Sequence, residues 1–141
     1  MKTWTDRKRV LIAEDDSLVR EVLRMRLGTA GYDVHVAHNG SEALQKIPLL
    51  KPAALVLDLG LPGVDGFGVL GAIRKDYARL NIRVMVLSAR RNEADIKRAL
   101  ELGARDYVLK AEVEVDMLKR IGRLLRPTPD KDRDKDTISI A

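Results

Sequence analysis

Short apolar runs alternate with segments of helical period five times along this chain. "RVLIAEDD" reads as a buried strand that ends in acids. In "SLVREVLRMRLGTAGY", Leu18, Val19, Val22, Leu23 and Leu27 share one helical face before Gly31 stops the helix. "YDVHVAH" sets Val34 and Val36 against Asp33 and His35, the alternation of an edge strand. "NGSEALQKI" predicts a short helix with Ser41 as its N-cap, broken at Pro48. "AALVLD" predicts the third strand, and "GFGVLGAIRKDYA" a helix weakened by its glycines. "IRVMVLSA" with "NEADIKRALELG", then "DYVLK" with "EVDMLKRIGRLL", complete the series. The last helix has Met117, Leu118, Ile121, Leu124 and Leu125 on its apolar side.

Such alternation predicts an α/β fold: a doubly wound, five-stranded parallel sheet with right-handed crossovers and helices on both faces. The 141 residues suffice for one sizeable core. The division expected is an N-terminal extension over 1–7 with Trp4 exposed, a folded domain over 8–126 and a charged tail over 127–141. Prolines and alternating Asp, Lys and Arg predict disorder in that tail. Composition then narrows the chemistry. With no cysteine, disulfides, thiolate metal sites and cysteine nucleophiles are excluded. Two histidines, His35 and His38, are too few for a histidine metal site. No apolar run nears the roughly 20 residues of a membrane helix, and "VLIA" is too short for a signal peptide. A cytoplasmic protein without a membrane partner is expected. The net charge is +5, and residues 83–126 hold 11 basic against 7 acidic side chains. Without a helix-turn-helix pair or aromatic–basic interleaving, this excess reads as a solvated face, and no direct DNA binding is expected.

One stretch poses a chemical question. In "AALVLDLGLPGVDG" a fully apolar strand finishes in Asp58, and four turn residues follow. An uncompensated buried charge costs several kcal/mol, on the order of its desolvation. Ligands of open α/β sheets bind beyond the carboxyl ends of the strands, and there this chain keeps its unusual polar residues. Glu14, Asp15 and Asp16 end strand one, Asp58 strand three, Ser88 strand four and Lys110 strand five. With strands one and three adjacent, Asp15 and Asp58 face each other. Carboxylates so close require a cation, and oxygen-only ligands suit Mg²⁺. Lys110 and Ser88 supply the positive charge and hydroxyl donor that a bound phosphoryl group requires. The site is therefore read as one for phosphoryl transfer onto a carboxylate, with Asp58 the acceptor because its Gly/Pro-rich loop leaves it accessible.

"VLIAEDD", "LVLDLGLPGVDG", "VMVLSA" and "DYVLK", in this order, resemble the receiver domain of two-component response regulators, of the chemotaxis-regulator type, from about residue 8 to 126. The resemblance implies the flavodoxin-like strand order 2-1-3-4-5. It also implies that Glu14 and Asp15 organise Mg²⁺ with Asp58 and the Gly60 carbonyl, and that Asp58 accepts the phosphoryl group. By the same resemblance Ser88 is the switch hydroxyl, Tyr107 the aromatic that follows it, and Lys110 the phosphate partner. Asp16 lies outside the acidic pair and is free to cap the first helix. The expected role is a single-domain response regulator, a phosphoacceptor signalling protein and not an enzyme acting on other substrates. Its partners would be a histidine kinase or histidine phosphotransfer protein, a downstream protein, and a second copy if it dimerises.

The chain departs from the family pattern twice. Ala111 replaces the usual proline after Lys110, which predicts a trans bond and a rebuilt loop. Gly60 and Arg90 stand two residues beyond Asp58 and Ser88, positions that in the family tune phosphoryl lifetime. Two other functions compete. An aspartate-nucleophile phosphatase would need an acid where Gly60 stands. A receiver-like nucleotide-binding module would use Arg90 and Arg91, with Arg98 and Arg105.

Overall fold

The computed structural model describes residues 6–127. Trp4 and the tail from residue 128 onward lie outside the described residues. In chain order the elements are β1 (Arg9–Ala13), α1 (Ser17–Thr29), β2 (Asp33–Ala37), α2 (Gly40–Leu50), β3 (Ala54–Asp58) and α3 (Gly66–Asp76), then β4 (Arg83–Ser88), α4 (Glu93–Glu101), β5 (Asp106–Leu109) and α5 (Met117–Leu124). All strands are parallel, in the order β2-β1-β3-β4-β5. The five-fold alternation is thus one doubly wound sheet in the implied order, with the alternating β2 at an edge.

Strand alternation splits the core in two. Val10, Ile12, Ala54, Val56, Met85, Leu87 and Val108 pack with Leu23 and Leu27 of α1 and Met117, Ile121 and Leu124 of α5. Leu11, Leu55, Leu57, Val84 and Val86 face α2, α3 and α4, meeting Ile47, Leu70 and Ala99. The central β3 is buried at every position, which explains its unbroken apolar run.

Four local expectations are corrected. Asn39, not Ser41, caps α2, accepting from Glu42 N at 2.8 Å, while Glu42 Oε2 accepts from His38 N at 3.3 Å. The chain starts the helix earlier because this Asn-x-x-Glu pair satisfies end donors reciprocally. Helix α2 also runs through Pro48 to Leu50. In the last turn that proline removes one helical hydrogen bond, while buried Ile47 and the left-handed Lys51 cap keep the turn closed. Leu18 and Leu118 are exposed rather than facing the core. Each borders a stripe that the i, i+4 series, Val19–Leu23–Leu27 and Met117–Ile121–Leu125, already fills.

Candidate phosphoacceptor site

Extending the strand alternation by one residue explains the site. Glu14 follows Val10 and Ile12, Asp58 follows Ala54 and Val56, and Lys110 follows Val108, so all three share the α1/α5 side at the carboxyl ends of β1, β3 and β5. Lys110 Nζ donates to Asp58 Oδ2 at 2.9 Å and to Glu14 Oε2 at 3.1 Å. The Gly60 amide donates to Asp58 Oδ1 at 2.9 Å, fixing that carboxylate's rotamer. Asp16 N donates to Glu14 Oε2 at 3.2 Å, and Asp16 Oδ1 caps α1 through Leu18 N and Val19 N. The Lys110–Ala111 bond is trans, and a 3₁₀ turn over Lys110–Glu112 carries the chain away without displacing the lysine from the acids.

Glu14 and Asp58 are buried, whereas Asp15 is exposed. Burial, reinforced by the hydrogen bond with Asp58, raises the Glu14 carboxyl to about 7. Burial would also raise Asp58, but hydrogen bonds with Glu14, Lys110 and the Gly60 amide outweigh it and hold Asp58 below its ordinary value. Burial opposes the charge on Lys110 too, and the two acids overcome that, raising its pKa. One lysine facing two buried carboxylates leaves the site short of positive charge. Glu14 Oε1 marks the deficit: it is buried without a hydrogen bond, although Lys110 Nζ stands 3.0 Å away. Glu14, Asp15 and Asp58 each offer a carboxylate oxygen, all within 4.8 Å of one another. That all-oxygen donor set fits a hard divalent cation such as Mg²⁺.

Ser88 and Tyr107 belong to the other strand parity, on the α2/α3/α4 side. Ser88 is buried, and its Oγ donates to the Arg90 carbonyl at 2.7 Å. Tyr107 OH donates to the same carbonyl at 3.3 Å. Gly60 is exposed, but Asp58 beside it is only 2% exposed, so the Gly/Pro-rich loop covers the carboxylate instead of leaving it accessible as the sequence implied. Arg90 and Arg91 are exposed beyond β4, while Arg98 stacks 4.2 Å above the Phe67 ring and Arg105 precedes β5 at the opposite end of the sheet. The four arginines of the nucleotide-binding alternative are therefore not gathered into one site.

Sequence reasoning missed the residues that shape this end of the sheet. Arg20 of α1 donates to the Glu14 carbonyl at 2.9 Å and the Asp15 carbonyl at 3.3 Å, pinning the acidic turn. Gly66 packs against the main chain at Asp58 and Leu59: a Cβ there would lie 2.6 Å from Leu59 Cα and 2.7 Å from the Asp58 carbonyl. Asp65, which caps α3 through Gly68 N at 2.9 Å, holds that contact in place. The Asp-Gly pair in "GVDGFG" was the available signal, for a turn tight enough to need it.

A 2-1-3-4-5 parallel sheet whose carboxyl end holds a buried acid pair, a neighbouring third acid and a bridging lysine defines a signalling phosphoacceptor class of α/β protein. The chain belongs to the response regulator receiver domain family, whose family model matches residues 10–122. Such domains are the phosphoacceptors of two-component signalling; they bind Mg²⁺ at an acidic pocket and interact with histidine kinases or phosphotransfer proteins. The chain is similar to response regulator MprA of Mycobacterium avium, 40% identical over 124 residues, covering 88% of this chain and 54% of that protein. It is 38% identical over 123 residues to the probable transcriptional regulator ycf27 of Cyanophora paradoxa, covering 87% and 50%. The chain thus spans about half the length of these curated relatives. Its structure resembles the BeF3-activated N-terminal receiver domain of Klebsiella pneumoniae RstA, with TM-score 0.78 and 29% identity over 85% of this chain and all of that one. Among the described residues no helix is long and apolar enough to cross a membrane.

Proposed function

We propose that Asp58 accepts a phosphoryl group from a phosphohistidine of a histidine kinase or histidine phosphotransfer protein, and that this switches a protein-binding face of the chain. The observation that carries the reading is Lys110 Nζ bridging Asp58 and Glu14. In the transfer the histidine N–P bond breaks, an Asp58 carboxylate oxygen forms the new bond to phosphorus, and the imidazole leaves neutral after taking a proton. The Gly60 amide holds Oδ1 and so presets the carboxylate for attack. Lys110, held by the same carboxylate beforehand, pairs with a phosphoryl oxygen afterwards. Glu14, Asp15, Asp58 and the Gly60 carbonyl would hold Mg²⁺, which when bound neutralises charge on the phosphoryl oxygens.

The switch follows from one carbonyl with two donors. To donate to a phosphoryl oxygen, Ser88 Oγ must leave the Arg90 carbonyl, and Tyr107 then remains as its side-chain donor. That exchange ties occupancy of Asp58 to the β4–α4 loop and β5, shifting a pre-existing equilibrium of that face. Because the matched RstA domain is described as BeF3-activated, beryllofluoride is the probe to use. In ¹H–¹⁵N NMR spectra, beryllofluoride with Mg²⁺ should shift the amides of Gly60, Ser88, Arg90 and Tyr107, and Asp58→Asn should abolish the response. Shifts that persist in Asp58→Asn, or that never reach Ser88 and Tyr107, contradict the proposal.

A further inference from the structure

The five strands all start at one end of the sheet, opposite Asp58, and the fold gathers there cations that are scattered through the sequence. Lys8 and Arg9 stand at the start of β1, Arg83 opens β4 and Arg105 directly precedes β5. Backbone hydrogen bonds join these starts into a row: Asp33 N to Lys8 O, Ala53 N to Arg9 O, Arg83 N to Ala53 O and Arg105 N to Val84 O. Adjacent strands lie about 4.8 Å apart, so the row from β1 to β5 extends about 14 Å. Each helix runs back to this end, and the last turns of α1, α3 and α5 add Arg26, Lys75 and Arg123.

Part of this charge is structural. Lys8 and Arg83 donate to the Leu125 and Leu124 carbonyls at the end of α5, and Arg9 to the Leu50 carbonyl at the end of α2. The rest is not: among the described residues the exposed side chains of Arg26, Lys51, Arg79, Arg105, Arg123 and Arg126 form no hydrogen bond or ion pair. Acids here are fewer. Asp106 pairs with Arg120 at 3.4 Å, and the others are Asp6, Asp33, Asp76 and Glu101. With the acidic pocket at the other end, the molecule has two electrostatic poles.

We propose that the basic end docks the phosphate backbone of duplex nucleic acid without reading its sequence. A row of cations suits a linear polyanion, and the guanidinium fork of arginine, the commoner cation here, matches phosphate geometry. An anionic membrane fits less well, since the exposed leucines near this end, Leu49 and Leu100, sit on different helices and form no anchor. Attraction at one pole and repulsion at the other would seat the duplex away from Asp58, so the surface acts independently of phosphoryl chemistry.

Fluorescence anisotropy of the full chain with a labelled 20-base-pair duplex of arbitrary sequence tests this. A row of this length reaches about three to four phosphates, so affinity should fall about 40- to 150-fold between 50 and 200 mM salt. Arg79→Glu/Arg105→Glu/Arg123→Glu should lose at least tenfold, with the fold checked by circular dichroism and Arg105→Glu alone measured in case the triple variant does not fold. Arg91→Glu/Lys97→Glu, which lowers net charge away from the row, should stay within about twofold. No binding at 50 mM salt, or equal loss in both variants, overturns the proposal. Tighter binding to phosphatidylserine-containing vesicles than to the duplex would also overturn it, in favour of a lipid surface.

Discussion

Burial raises the Glu14 carboxyl from 4.5 to about 7. An acid raised on folding binds its proton in the folded state at pH values where the unfolded chain has released it. The folded state therefore holds more protons between about pH 4.5 and 7, and metal-free stability should fall as pH rises through that window. Asp58 acts with the opposite sign in a separate window: its depressed value contributes stability that is lost only below its ordinary 3.8. Denaturant titrations from pH 5 to 8 in EDTA should show the decline, and Glu14→Gln should flatten it. A rise over the same range would contradict the assignment. Because a cation must displace the Glu14 proton, Mg²⁺ affinity should climb on the order of tenfold per pH unit below about 7 and level off above it. Calorimetric titration at pH 5.5, 6.5 and 8 measures this, and a flat profile would show that Glu14 is not a ligand.

At the scale of elements, the same substitution at two glycines of α3 should act with opposite sign. Gly66→Ala drives a Cβ into the Asp58–Leu59 main chain, an overpacking that costs about 1–3 kcal/mol. Gly71 lies in the interior of the same helix, and its Cβ would meet nothing within 4 Å. Gly71→Ala should therefore stabilise by up to about 1 kcal/mol. Urea denaturation of both variants decides it, and a stabilised Gly66→Ala would show that the acceptor loop does not rest on α3. The contrast also marks where sequence reading stops. Element types were legible because β3 is apolar up to its last residue and α1 and α5 keep a helical stripe. Close backbone approaches leave no periodic trace, so Gly66 against Leu59 looked like an ordinary turn glycine. Ser41, Pro48 and Leu18 depart from expectation because a neighbouring residue decides the outcome, Asn39 through its own cap bond and Ile47 and Leu23 through core packing.

For the molecule as a whole, parallel topology explains why the site was legible and the basic pole was not. Glu14, Asp15, Asp58, Ser88 and Lys110 each interrupt or end an apolar run, so each stands out locally, and one rule about strand ends assembles them. The cations of the other pole fall in loops and last turns, where a basic residue is unremarkable, and only the common direction of five strands brings them together. Arg20 was hidden likewise, because its task is to hold carbonyls of a turn five and six residues before it. Whether this assembly makes Asp58 a phosphoacceptor is decided by intact-mass spectrometry. After incubation with acetyl phosphate and Mg²⁺, the wild type should gain one adduct of about 80 Da, lost in EDTA and absent from Asp58→Asn. An adduct of the same size on folded Asp58→Asn, or a wild type that stays unmodified while it binds beryllofluoride and Mg²⁺ no better than Asp58→Asn, would contradict that role.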